Sequence, residues 1–324
     1  MSLNSYAADE KSDGAGRASS PITNPNPGAD LWKKIRGAGS GMTQDRSIEG
    51  GVLINSAGQD WRILREQKLI KYSSWALLAA ILLVILFRVV HGQIKLEKGY
   101  SGQKIKRWSV YERTIHWFTA ICFIILAISG LTTLLGRSLI IPVIGAEAFS
   151  YWASLMKLLH NYIGPFFSFS VLLVIINWMG RALPSKDDIH WLASGGGIIG
   201  HAHPSAGTLN AGEKGWFWII ATVGVVCSVT GLILDFADFG QTREDMQLAN
   251  IVHSISAVAW MVVAMGHIYM GTIGTEGALE AMTTGEVDVN WAKQHHDLWY
   301  QQVTNQSGGT SDAGSSVREQ EQPT

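Results

Sequence analysis

Only two cysteines occur in the 324 residues, Cys122 and Cys227, and both stand inside apolar runs. Two cysteines cannot frame a disulfide scaffold, a zinc site or an iron–sulfur cluster by themselves. No Cys-x-x-Cys-His is present, which excludes covalently attached c-type heme. Charge is also scarce. Charged residues make up 16% of the chain against 47% hydrophobic ones, with a net charge of −1. There is no basic surplus to hold nucleic acid. The first thirty residues show no basic start followed by an apolar core, so they do not read as a secretory signal.

What is abundant is apolar sequence, and it is clumped. Such clumping points to membrane spans rather than to one large soluble core. Five runs stand out, at roughly 73–91, 114–135, 157–180, 215–234 and 249–273. Each is about 20 residues long, enough to cross about 30 Å of hydrocarbon at 1.5 Å per residue. In lipid the backbone must satisfy its own hydrogen bonds, so these runs are expected to be helices. Trp75, Trp117, Trp178, Trp216 and Trp218 fall near the run ends, as an interfacial aromatic belt would. Residues 1–71 are polar and rich in Gly, Ser, Asn and Asp, and at least the first fifty read as loosely ordered. The tail at 301–324 reads as disordered.

Lysine and arginine in short loops set the orientation. The segment 92–113 carries Lys95, Lys98, Lys104, Lys106, Arg107 and Arg113, and 181–214 carries Arg181, Lys186 and Lys214. The segment 136–156 has only Arg137, and 235–248 has only Arg243 among four acids. The first pair of loops is therefore expected on the cytoplasmic side, with the C-terminus there too and the N-terminal tail outside. Arg62, Arg65, Lys68 and Lys71 run against this at the first span. Export of a polar tail also calls for a targeting signal, which an upstream segment would supply.

Of ten histidines, four lie inside the runs: His116, His160, His253 and His267. An ionisable group inside a membrane is costly and is by default a functional residue. His253 and His267 are 14 residues apart on one run, about 1400° of helical rotation, so they face nearly the same way about 21 Å apart. His116 begins an outward span and matches His267 in depth. His160 begins a returning span and matches His253. Two imidazoles on one iron give a six-coordinate electron-transfer heme. The expected arrangement is two bis-histidine b hemes, His116/His267 on the cytoplasmic side and His160/His253 on the external side. His91, His190, His201, His203, His295 and His296 read as interfacial, loop or tail residues. Gly130, Gly164 and Gly231 either admit a porphyrin face or allow close helix packing.

Longer stretches carry a resemblance. Arg113 to Trp117, Leu159-His160, His253 through Met270, Asn210 to Trp218 (NAGEKGWFW), Gly277 through Val287 and Trp291 to Trp299 resemble the gamma subunit of membrane-bound formate dehydrogenase, over about residues 104–300. The resemblance implies an all-α membrane protein: a four-helix transmembrane di-heme cytochrome b bundle over 92–300, with one additional N-terminal transmembrane helix over 72–91. It implies formate oxidation on a separate molybdenum or tungsten alpha subunit and electron entry from an iron–sulfur beta subunit. Menaquinone or ubiquinone would then be reduced near the cytoplasmic face, in a bacterial inner membrane. The quinone pocket it implies is Asn210 and Gly212, with His267 nearby. Lys214, Glu213 and Asp187 are candidate proton suppliers. Two departures from the family pattern are Asn161, where proline is common, and Glu213, where glutamine is common. A di-heme cytochrome b of a nickel–iron hydrogenase or thiosulfate reductase would share the span histidines. A heme-free anchor or transporter would use them as proton relays.

Overall fold

The computed structural model describes residues 41–42, 52–54, 56–197 and 203–306. The expectations for the first fifty residues and for most of 301–324 lie outside these, as does His201. Within residues 1–62, β1 (Gly41–Met42) pairs antiparallel with β2 (Val52–Ile54).

Among the described residues, five helices are long and apolar enough to cross a membrane: α1 (Gly58–His91), α2 (Val110–Leu139), α3 (Ala146–Trp178), α4 (Ala211–Asp235) and α5 (Arg243–Gly274). The all-α membrane bundle expected from the sequence is the observed architecture. Each helix runs past its apolar stretch, by 15 residues at the start of α1 and 11 at the start of α3, because amphipathic turns continue the backbone ladder where lipid gives way to water. Capping explains three of the starts. Ser109 and Glu112, Asn210 and Glu213, and Thr242 and Asp245 form reciprocal capping boxes that open α2, α4 and α5. Pro165 lies inside α3 without interrupting it. A π-helical turn, Ile220–Gly224, widens the middle of α4.

α2 packs along α3, α4 along α5, and α3 meets α4, so these four helices form the core bundle. The buried hydroxyls Ser129, Ser170 and Ser256 donate back to carbonyls of their own helices at 2.8 Å each. Polar groups are thereby satisfied inside apolar surroundings. α1 stands beside α5, with Leu77 packed on Val258 and Met261. The opposite face of α1, including Leu82, Leu83, Leu86 and Val89, is exposed as a lipid-facing stripe would be.

One end of the bundle is closed by chain from both sides of it. β3 (Lys104–Lys106) pairs antiparallel with β4 (Glu286–Asp288), with Ile105 opposite Val287. Asp288 accepts hydrogen bonds from the N–H groups of Ser101, Gly102 and Asn290 and from the Ser101 hydroxyl. Beyond β4, Trp291, His296 and Trp299 are buried. The helix that follows runs through residues 297–306, so ordered chain continues beyond 300, where a disordered tail was expected.

Candidate functional site

The structure gathers the four span histidines into two pairs. The rings of His160 and His253 have centroids 6.1 Å apart and planes at 83°. Those of His116 and His267 are 6.3 Å apart at 58°. The pairs lie at opposite ends of the bundle. A metal–imidazole bond of about 2.0 Å and the roughly 1.1 Å from ring nitrogen to ring centre put two axial rings about 6.2 Å apart. Both pairs have the spacing that two imidazoles would need to hold one metal ion between them. Among the described residues no three His, Cys, Asp or Glu side chains gather to hold a metal ion. The imidazole pairs are a donor set that could hold heme iron.

Neighbouring groups aim the imidazoles. Ser129 Oγ lies 2.8 Å from His160 Nδ1, and its own hydrogen goes to the Ile125 carbonyl. His160 therefore donates Nδ1–H to Ser129. The Cys227 carbonyl, which can only accept, lies 2.9 Å from His253 Nδ1. Each ring is thus held with Nε2 left for a metal, the outer-sphere arrangement that fixes tautomer and raises ligand basicity. At the other end, His116 keeps a buried Nδ1 without a partner, and Trp216 stacks on His267 at 4.5 Å with planes 10° apart. Two of the span glycines face the ligand rings. A Cβ on Gly231 would come 3.0 Å from His253, and one on Gly130 would come 3.5 Å from His160, whereas Gly164 faces open space.

Between the pairs lies an aromatic layer that the sequence analysis missed. Phe123, Phe167 and Trp260 meet with ring centroids 5.2–6.1 Å apart. Phe123 is seven residues after His116, Phe167 seven after His160, and Trp260 seven from both His253 and His267. Seven residues is about two helical turns, so each ring points the same way as its histidine, about 10 Å along the axis. The signal was present in the spacing. Gly224, in the π-helical turn of α4, gives Trp260 its room, since a Cβ there would lie 2.8 Å from the indole.

Asn210 and Gly212 open α4 on the His116/His267 side. Asn210 Oδ1 accepts the Glu213 N–H and Glu213 accepts the Asn210 N–H, both at 2.9 Å. Gly212 is one turn before Trp216, on the same face. A Cβ on Gly212 would be 3.2 Å from the Trp191 ring. Two of the three candidate proton suppliers are held in ion pairs. Lys214 pairs with Asp188 at 2.8 Å, and Glu213 with the buried Arg107 at 2.9 Å. The guanidinium of Arg107 lies over Trp291 at 4.7 Å. Burial lowers the Arg107 pKa, and the Glu213 carboxylate works against that shift. The Arg107 pair also accounts physically for a glutamate at position 213. His296, one of the most buried side chains, is bound through Nδ1 to the Gly207 carbonyl at 2.8 Å, and burial keeps it neutral. Its burial was illegible in sequence, because its contacts lie about ninety residues away.

The model of the prokaryotic cytochrome b561 family matches residues 107–285. The chain belongs to the prokaryotic cytochrome b561 family. Within it the chain is similar to the formate dehydrogenase cytochrome b556(fdo) subunit of Escherichia coli K12, 32% identical over 203 residues, covering 61% of this chain and 93% of that one. It is also similar to the nitrate-inducible cytochrome b556(Fdn) subunit of the same strain, 27% identical over 209 residues, covering 63% and 93%. The formate dehydrogenase cytochrome b556 subunit of Haemophilus influenzae is 26% identical over 211 residues, covering 62% and 84%. This family member is a multi-pass membrane cytochrome b subunit of the formate dehydrogenase type. α1 lies before the matched residues, as an addition to the family bundle.

Proposed function

We propose that the chain binds two b hemes, one on His160/His253 and one on His116/His267, and carries electrons from the iron–sulfur subunit of a formate dehydrogenase to a quinone. The observation that carries this reading is the pair of imidazole pairs at opposite ends of one bundle, 6.1 and 6.3 Å apart. When bound, each heme supplies reversible one-electron storage at a fixed depth. The chain's residues fix the ligand rings through Ser129 and the Cys227 carbonyl, and the packed apolar helices keep water from the path.

Formate is oxidised on a separate molybdenum- or tungsten-bearing subunit, giving carbon dioxide, one proton and two electrons. A quinone, menaquinone or ubiquinone, takes two electrons and two protons to become quinol. Asn210 and Gly212 border the quinone in this reading. Support comes from their place at the start of α4, Gly212 one turn before Trp216, which stacks on His267. The absence of a side chain at Gly212 lets the Trp191 ring pack close against it. The lysine-rich loops at this end support a cytoplasmic location in a bacterial inner membrane. Electrons then cross from the external side while quinone draws its protons from inside, which separates charge without a proton pump.

The test is a pyridine hemochrome count on the purified complex, followed by reduction with formate alone. Two b hemes per chain, both reduced by formate, are expected. His253→Ala should leave one heme and block its reduction by formate. Retention of both hemes in that variant would defeat the ligand pairing.

A further inference from the structure

Quinone reduction needs two protons, and two cations at this end, Arg107 and Lys214, are held in ion pairs. Another set of titratable groups reaches the same place from the surface. Glu97, on the segment after α1, stands 3.0 Å from His203 Nε2, and both are partly open to solvent. The His203 and His295 rings lie 6.2 Å apart, edge to face. His295 Nε2 is buried without a hydrogen-bond partner. Both rings line a cavity of about 40 Å3, together with Asn210, Gln294, Pro204 and Trp191. That is room for a water molecule. The cavity joins the histidine pair to Asn210, and its Trp191 wall is the ring that packs on Gly212.

We propose that Glu97, His203 and His295 form the proton entry route to the quinone at Asn210 and Gly212, with the cavity as the bridge between the two imidazoles. The proposal rests on the quinone reading above. Each proton enters at the Glu97 carboxylate, passes to His203 Nε2, and crosses the cavity to His295. A proton arriving on one ring nitrogen of His295 is matched by one leaving toward the quinone, so the imidazole returns to neutral. Two such passages, with two electrons, complete one quinol.

The surroundings suit a carrier rather than a store. Burial, with His203 and Arg107 adding to it, pushes His295 down to about 4. Glu213 opposes the shift without overcoming burial, and the ring is neutral at pH 7 and charged only in passage. The other groups facing this region are already bound. His296 is tied to the Gly207 carbonyl, and Asp297 accepts from the Ser205 hydroxyl at 2.7 Å and the Ala206 N–H at 2.9 Å. Gln294 is held by the Lys95 carbonyl and the Glu97 N–H.

The experiment compares His203→Gln, His295→Gln and Gly212→Val in the purified complex, with a short-chain quinone analogue as acceptor. Each variant is assayed for formate-reduced heme spectrum, kcat, KM, pH profile and rescue by added imidazole. His203→Gln, being near the surface, guards against a folding defect in His295→Gln. The expected result for both histidine variants is full heme reduction and a KM near wild type. Their kcat should be lower by about tenfold or more, most at alkaline pH, with partial recovery on adding imidazole. Unchanged kcat and pH profile in both, while Gly212→Val is impaired, overturns the relay and leaves the quinone reading standing. A raised KM with kcat unchanged makes these residues quinone-binding groups and also overturns it. Unchanged quinone turnover in Gly212→Val removes the quinone from this place, and the relay falls with it.

Discussion

Ser129 Oγ sits 2.8 Å from Nδ1 of His160, and Ser129 is wholly buried between α2 and α3. The contact gives a proton-bearing nitrogen its partner in buried surroundings. Ser129→Ala should leave that N–H unsatisfied, at a cost of about 1–3 kcal/mol. It should also lower the basicity of the ligand nitrogen. The heme on His160/His253 is then less stabilised when oxidised, and its midpoint potential should rise. A tenfold change in relative affinity corresponds to about 59 mV for one electron, and a shift of that order or less is expected. Potentiometric titration with optical detection checks it, and the heme on His116/His267 should not move.

The two glycines beside the ligand rings differ in their tolerance. A Cβ on residue 231 would come 3.0 Å from the His253 ring, whereas at residue 130 it would come 3.5 Å from His160. Gly130→Ala should therefore retain both hemes. Gly231→Val should displace His253 and halve the hemochrome count per chain, with the heme on His116/His267 unaffected in its spectrum.

Trp260 is 2% exposed and completes the layer with Phe123 and Phe167. Trp260→Ala should cost about 3–5 kcal/mol through lost contacts and the cavity left behind. The expected readout is a lower midpoint in thermal unfolding of the detergent-solubilised complex. Gly224→Leu should resemble it, because a side chain there meets the same indole.

The helical bundle and the placement of the four histidines were legible because both depend on local periodicity. Fourteen residues on one helix return a side chain to the same face whatever surrounds it. Helix ends were less legible. The turns that open α1 and α3 lie outside the unbroken apolar runs, being charged in α1 and interspersed with Glu147, Ser150 and Ser154 in α3, yet they continue the helix of the neighbouring span. The closed end was illegible for another reason. Ile105 meets Val287, and Arg107 meets Glu213 and Trp291, across one hundred to nearly two hundred residues of chain. No spacing rule reports contacts of that separation. His203 and His295 likewise read as loop and tail histidines until the fold brought their rings to 6.2 Å.

Asp288 should make that closed end sensitive to acid. Burial disfavours its charge, but the N–H groups of Ser101 and Asn290 and the Ser101 hydroxyl outweigh burial and hold the carboxyl below its usual range. A carboxylate depressed in the folded state adds stability fully present above its unfolded value of about 3.9, and loses it as pH falls through the folded value. Protection of the Ser101 and Gly102 amides from hydrogen exchange should therefore fall below about pH 4. In Asp288→Asn the same amides should exchange faster at neutral pH and show little further change in acid.

β4 and the segment from Trp291 to Trp299 are made after all five spans, yet they cover the bundle end that holds His116, Asn210 and His267. The end with His160 and His253 is complete once α5 has joined its neighbours. The two ends therefore differ in what completes them: one needs the five spans alone, the other also needs chain that follows them. Any flat prosthetic group bound for the latter end has a doorway that shuts only when the β3–β4 clasp forms.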